Sequence, residues 1–275
     1  MLRIYTLIIL SLLSLSISAQ IIDRKTYNLD SLIHEYDSKP SFRLYKDNYF
    51  IFGTTLAHTP SATNSNVKFQ ISFSQRLTRS TLPWDTNLFL FYSQKCFWNI
   101  LDESMPMTDI NFNPGIGIAK PLFSEGRFIG KAMLMLEHES NGKDSIYSRS
   151  WNKISLGANI IVDPQMIIHG KIWIPIIDGK NNKDILNYCG IFQAGASFTS
   201  TNKKMGISFN FVKLKGWNLN YNTTIEISYR FSQKDSHWLF LQYYNGYGEG
   251  LLNYKQHQSM LRVGFVIKPR IFSEF

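Results

Sequence analysis

Gly130-Lys-Ala-Met-Leu-Met-Leu-Glu-His-Glu-Ser140 alternates along its whole length. Lys131, Met133, Met135, Glu137 and Glu139 hold the odd positions. Gly130, Ala132, Leu134, Leu136, His138 and Ser140 hold the even ones. A period of two belongs to a strand with two unlike faces. The same period dominates from about residue 40 onward. It recurs in twelve segments near 41–53, 67–78, 87–99, 114–122, 128–140, 151–163, 165–176, 187–199, 204–214, 218–233, 237–247 and 259–269. Polar turns rich in Asn, Ser, Gly and Lys separate them, and no helical stretch of comparable length lies between.

Such strands suit a soluble sandwich or an outer-membrane barrel, and four features favour the barrel. Each segment has one apolar and one polar face. Trp98, Trp151, Trp173, Trp217, Trp238, Tyr243 and Tyr244 gather near segment ends, as interfacial girdles would. An even strand number closes the sheet without an open edge in lipid. The last strand is aromatic and the chain ends on Phe275. The expected fold is all-β, a twelve-stranded antiparallel transmembrane β-barrel over residues 40–275.

Ahead of the barrel, residues 1–19 read as a signal peptide. Arg3 precedes an apolar run, and Ser16, Ser18 and Ala19 supply small residues before a cut at Gln20. Residues 20–39 are polar and mixed, a periplasmic N-terminal segment. The 275 residues carry 44% hydrophobic, 15% aromatic and 18% charged positions, which argues against disorder. Only the N-terminus has a long apolar run, which argues against membrane-spanning helices. The mean hydropathy of −0.15 fits a wall with half its residues in lipid and half facing a polar lumen. A net charge of +9 on an exported chain suits an anionic lipid surface better than nucleic acid. Cys96 and Cys189 lie in separate strand-like segments and are expected as unpaired thiols.

Parity locates the chemistry. The charged odd face of 130–140 must point into the lumen, so His138 and Ser140 share the lipid-facing side near the external rim. Two residues apart on one face, they come within hydrogen-bonding reach. In the next segment Lys153, Ser155 and Asn159 take the lumen side, so Asn152 joins His138 outside, across a hairpin. Polar groups facing lipid are costly and mark function. These residue types compose a nucleophilic set. The Ser140 hydroxyl can lose its proton to His138, and Asn152 can fix the imidazole tautomer as a carboxylate does in the usual triad. An uncharged Asn stabilises the imidazolium less, so help for the oxyanion must come from elsewhere, such as a metal.

These residues resemble the outer-membrane phospholipase A family of calcium-dependent barrel esterases. His138-Glu-Ser140-Asn-Gly142 followed by Ser148-Arg-Ser-Trp-Asn152 is similar to that family's catalytic block. Tyr92-Ser-Gln-Lys95, Ser104-Met-Pro-Met-Thr-Asp-Ile-Asn-Phe-Asn-Pro114, Asn245-Gly-Tyr-Gly-Glu249 and Leu251-Leu-Asn-Tyr254 resemble further blocks, in order. The match covers most of the chain from about residue 40, in patches.

The resemblance implies hydrolysis of phospholipid and lysophospholipid acyl esters (A1/A2 type) at the surface of a Gram-negative outer membrane. It implies Ser140 as nucleophile, His138 as base and Asn152 as orienting residue. It also implies Ca²⁺ shared across a homodimer, held by the Ser148 hydroxyl and the Lys143 carbonyl of one subunit and the Ser104 hydroxyl of the other. Lys143 stands where the family usually has Arg. Gln94 matches a dimer-interface glutamine, and a lipid-facing amide would be satisfied by its twin or by headgroups. The alternatives are a small non-enzymatic pore or adhesin barrel, and another barrel hydrolase such as a lipid A deacylase. Gly115-Ile-Gly117 reads as strand packing, and Asp144 and Asp184 as solvated loop charges.

Overall fold

The computed structural model describes residues 28–56, 58–176 and 180–269. The proposed signal peptide and Phe275 lie outside them. In chain order the elements are helix α1 (Leu29–Ser38), then strands β1 (Phe42–Leu44), β2 (Asn48–Thr55), β3 (Ser65–Arg76), β4 (Asn87–Trp98), β5 (Met107–Ser124), β6 (Arg127–Ser140), β7 (Ser150–Asp163) and β8 (Met166–Ile176). The short helix α2 (Leu186–Cys189) precedes β9 (Phe192–Thr199), β10 (Met205–Lys213), β11 (Tyr221–Tyr229), β12 (His237–Gly246) and β13 (Gln258–Ile267). Every neighbour is antiparallel, and β13 pairs with β2 from Ile267↔Asn48 to Met260↔Thr55. The pairing closes a barrel of twelve full strands, β2 to β13.

β1 and β2 are two pieces of the first expected strand, since both pair with β3. Between them Tyr45 turns into the lumen and stacks on Phe91 at 4.6 Å between ring centroids. The second difference lies in β5. It starts at Met107, well before residue 114, because Asp109, Asn111 and Asn113 continue the alternation as buried residues. Their polarity reads as a loop in the sequence, although it is the polarity of a lumen-facing strand. The third is at 187, where α2 ends on Gly190 at φ +82° and β9 begins only at Phe192.

The strand faces follow the parity. Leu134, Leu136, Ile154 and Leu156 are exposed on the outer wall, whereas Met133, Met135, Glu137, Ser155 and Asn159 are buried. The lumen is less polar than expected. Tyr45, Phe89, Phe91, Ala119, Met133 and Met135 form one buried cluster inside it, because side chains can fill so narrow a barrel. Trp151 and Tyr244, read as girdle residues, also point inward and are buried.

The two ends are closed differently. At the inward end, part of the segment expected as polar and mixed forms α1, capped by Asn28. Arg76 holds it, donating to the carbonyls of Tyr36, Asp37 and Lys39 and to Asp37 Oδ1 at 2.6–3.3 Å. At the external end, the connection between β12 and β13 folds into the mouth. Leu251 N–H donates to Asn111 Oδ1 at 3.1 Å and Leu252 N–H to Asp109 Oδ2 at 2.9 Å. Glu249 reaches further in, to Lys68 at 3.0 Å and Arg262 at 2.7 Å. Burial alone would raise the Glu249 carboxyl, but Arg262 and Lys68 outweigh it and hold the pKa at about 2. A cavity of about 220 Å³ remains in the lumen beside this network.

Candidate active site on the outer wall

β6 and β7 run antiparallel in a register that sets His138 opposite Asn152 and Ser140 opposite Ser150. His138 Nδ1 and Asn152 Oδ1 lie 2.9 Å apart. An amide oxygen only accepts, so the Nδ1 proton is donated and Nε2 keeps its lone pair. Asn113 Nδ2 reaches from β5 to the His138 carbonyl at 2.9 Å and pins the strand beneath the imidazole. All three polar residues are half-buried on the outer wall.

Ser140 lies on the face of His138, two residues along. Among the described residues no hydrogen bond engages its hydroxyl, so the expected bond to the imidazole is not formed. Resting sites commonly close this contact only with substrate. The chain then turns sharply. Gly142 takes φ +63°, and a Cβ there would sit 2.8 Å from the Phe112 ring. Only glycine fits so near the ring at that backbone angle.

The loop after Gly142 is tightly held. Asn141 is buried, donates Nδ2 to the Tyr147 carbonyl at 2.9 Å and accepts the Arg149 N–H on Oδ1 at 2.9 Å. Its own N–H donates to the Arg149 carbonyl at 3.0 Å. From the β8–β9 connection, Asn181 donates to the Ser145 carbonyl at 2.7 Å. Asn182 donates to the Ser150 carbonyl at 2.9 Å. Beneath the loops Trp151, Ile185, Leu251 and Tyr254 make an apolar cluster. Asp184 is not a free loop charge: Lys255 pairs with it at 2.7 Å and Tyr254 donates to it. Those two donors overcome its partial burial and lower its pKa. Sequence reasoning missed Asn113, Asn141, Asn181 and Asn182, since Asn is common in all the turns and only tertiary contacts single these out.

The calcium ligands implied by resemblance fall on two connections. Lys143 and Ser148 share the β6–β7 loop, and Ser104 is exposed on the β4–β5 loop. Among the described residues no hydrogen bond engages the Ser148 hydroxyl. No cluster of three or more His, Cys, Asp or Glu suited to a metal occurs there either. Hydroxyl and carbonyl oxygens are hard donors that suit calcium and not zinc or copper. Gln94 lies on the outer wall, accepting from the Tyr92 hydroxyl at 2.7 Å and donating to Cys96 Sγ at 3.3 Å. Its amide thus has partners within its own chain. Cys96 and Cys189 are both free thiols.

A family profile described as Phospholipase A1 matches residues 25–267. The Phospholipase A1 of Salmonella typhimurium is 26% identical over 254 residues, covering 86% of this chain and 85% of the relative. The solved outer membrane phospholipase A of Escherichia coli superimposes with a TM-score of 0.72 at 24% identity, covering 84% of this chain and all of that one. The Salmonella typhi outer membrane phospholipase, solved as a dimer with bound calcium, gives a TM-score of 0.72 at 25% identity over 86% of this chain and 97% of its own.

Proposed function

Because the chain belongs to the phospholipase A1 family, we propose that this outer-membrane barrel hydrolyses phospholipid and lysophospholipid acyl esters with a Ser140–His138–Asn152 triad on its lipid-facing wall. The observation that carries the reading is the 2.9 Å contact between His138 Nδ1 and Asn152 Oδ1, on a surface otherwise built for lipid. A pore would have no use for an oriented imidazole facing outward, and the β12–β13 connection fills the mouth.

Each step follows from the residues. Substrate acyl chains lie along the apolar wall and bring the ester to the rim. Ser140 Oγ attacks the carbonyl carbon while its proton passes to His138 Nε2. The tetrahedral adduct collapses, and the departing alkoxide of the lysophospholipid takes that proton back. Water then attacks the acyl-Ser140 ester, again losing a proton to Nε2. Release of the fatty acid returns the proton to Ser140. Asn152 keeps the imidazole in the reactive tautomer throughout, without adding charge.

Ser148 and Lys143 would hold calcium through a hydroxyl and a carbonyl. Ser104 of a second copy would add another hydroxyl, and waters would complete the six to eight oxygens the ion takes. Bound there, calcium would polarise the ester carbonyl and balance the developing oxyanion. Two ligands from one chain are too few for a tight site, which supports activity as a homodimer. The test is hydrolysis of phospholipid vesicles by refolded protein with calcium and with chelator, wild type beside Ser140→Ala. Chelation is expected to cost about 10²- to 10³-fold, the scale of losing a principal oxyanion stabiliser. Full hydrolysis by Ser140→Ala would remove the triad, and hydrolysis indifferent to chelator would remove the metal.

A further inference from the structure

We infer that Asn182 is a positioning residue for the loop that carries Lys143 and Ser148, acting through the backbone of Ser150. The inference rests on the calcium reading and deepens it.

Ser150 begins β7. It pairs with Ser140. Its own N–H and carbonyl are both met by Asn182, from the connection that follows β8. Asn182 uses both ends of its amide. Nδ2 donates to the Ser150 carbonyl at 2.9 Å, and Oδ1 accepts the Ser150 N–H at 3.3 Å. One side-chain amide thereby fixes both backbone groups of Ser150, as donor and as acceptor. The residue is 0% exposed, so water does not compete for these bonds.

The brace comes from far along the chain and is itself fixed. The Asn182 carbonyl accepts the Ile185 N–H at 3.1 Å, and Ile185 is sealed in the cluster with Trp151, Leu251 and Tyr254. Asn181 adds a grip on the Ser145 carbonyl at 2.7 Å and a long one on the Ser148 carbonyl at 3.5 Å. With Asn141 at the other flank, the loop is held at both ends. Ser148 sits two residues from the Ser150 anchor, so its hydroxyl is placed by an amide that touches neither metal nor substrate.

Partners that fix a ligand contribute about 10- to 100-fold to metal affinity. Asn182→Ala is therefore expected to raise the calcium needed for half-saturation about 10- to 100-fold. Hydrolysis at saturating calcium should stay near wild type, because the His138–Asn152 contact is untouched. Binding is read on a Ser140→Ala background reconstituted with phosphatidylcholine, so that substrate is present and intact. The probe is terbium luminescence sensitised by aromatic side chains and displaced by calcium.

Asn64→Ala is the control. Asn64 staples the β2–β3 connection in a similar way, to Ser61 N–H at 2.8 Å and the Thr59 carbonyl at 2.9 Å. It should leave binding unchanged. If the Ser140→Ala background binds no ion, the calcium reading falls and the inference with it. If the background binds and Asn182→Ala binds equally well, the inference alone is overturned. Should Asn182→Ala fail the heat-modifiable mobility of a folded barrel, Asn182→Asp takes its place. It keeps the volume and the acceptor but turns a carboxylate toward the Ser150 carbonyl. Weakened calcium displacement supports the brace, and unchanged displacement overturns it.

Discussion

Glu137 and His138 are sequence neighbours on one strand, yet they belong to two different chemistries. On the lumen side, Glu137 meets Lys171 at 2.6 Å and accepts from Ser155, and Glu139 meets Lys153 at 2.8 Å. Each of these two carboxylates is consumed by a cation. On the outer side, the His138 imidazole meets the neutral amide of Asn152, and among the described residues no hydrogen bond engages the hydroxyl of Ser140. The lumen groups bind strand to strand. The outer groups are oriented but unspent, which is the condition a reaction needs. In this barrel a polar residue is read by what it is paired with and which way it faces, more than by its type.

The sharpest way to break the comparison is to cut on either side of the same peptide bond. His138→Ala should lower phospholipid hydrolysis by about 10³-fold or more, as loss of a triad base does. Glu137→Gln should leave the rate near wild type but cost about 3 kcal/mol in denaturant unfolding from lipid, because Lys171 loses its buried partner. If both variants lose activity alike, the two faces are not separate. Asn152→Ala should have the next largest effect, about 10²-fold, by misplacing the imidazole. That loss should appear in kcat and not in KM.

Acid probes the lumen side through Glu249. The folded pKa of Glu249, about 2, lies below the ordinary carboxylate value of about 4.3 in the unfolded chain. Its contribution, on the order of 3 kcal/mol, is therefore present above pH 4.3 and fades as pH falls toward 2. Equilibrium unfolding across that window should show this loss in wild type and not in Glu249→Gln. The smallest effect is expected at Gln94. Removing one hydrogen-bonding amide is worth about 1 kcal/mol, so Gln94→Ala should weaken calcium-dependent self-association about fivefold by sedimentation.

The wall was readable because period two leaves a mark at every residue, and the parity of residues 130–140 and 151–163 puts His138, Ser140 and Asn152 on the same face as the exposed Leu134, Leu136, Ile154 and Leu156. Three things were hidden. The Asp109-to-Asn113 stretch looks like a polar loop until the lumen supplies donors such as the Leu251 and Leu252 amides. Trp151 looks like an interfacial anchor until Ile185 and Tyr254 cover it. The asparagines that hold the β6–β7 loop act over 32 residues in the case of Asn182, and no local pattern encodes such a contact. Local alternation is written in the chain, whereas the closing of the two barrel ends arises from meetings between distant loops.

The ring closes only when β13 reaches β2, more than 200 positions after the first strand is made. The His138–Asn152 pair spans 14 positions and lies within a single hairpin. A chain assembling hairpin by hairpin therefore acquires its oriented imidazole well before it is a sealed vessel. The brace from Asn182 arrives one hairpin later, and the plug carrying Glu249 and Leu251 arrives with the final seam. Measured along the sequence, the contacts thus lengthen from the reactive pair outward to the parts that hold and shut it. A lone hairpin would hold the oriented pair without the loop that is gripped at both ends.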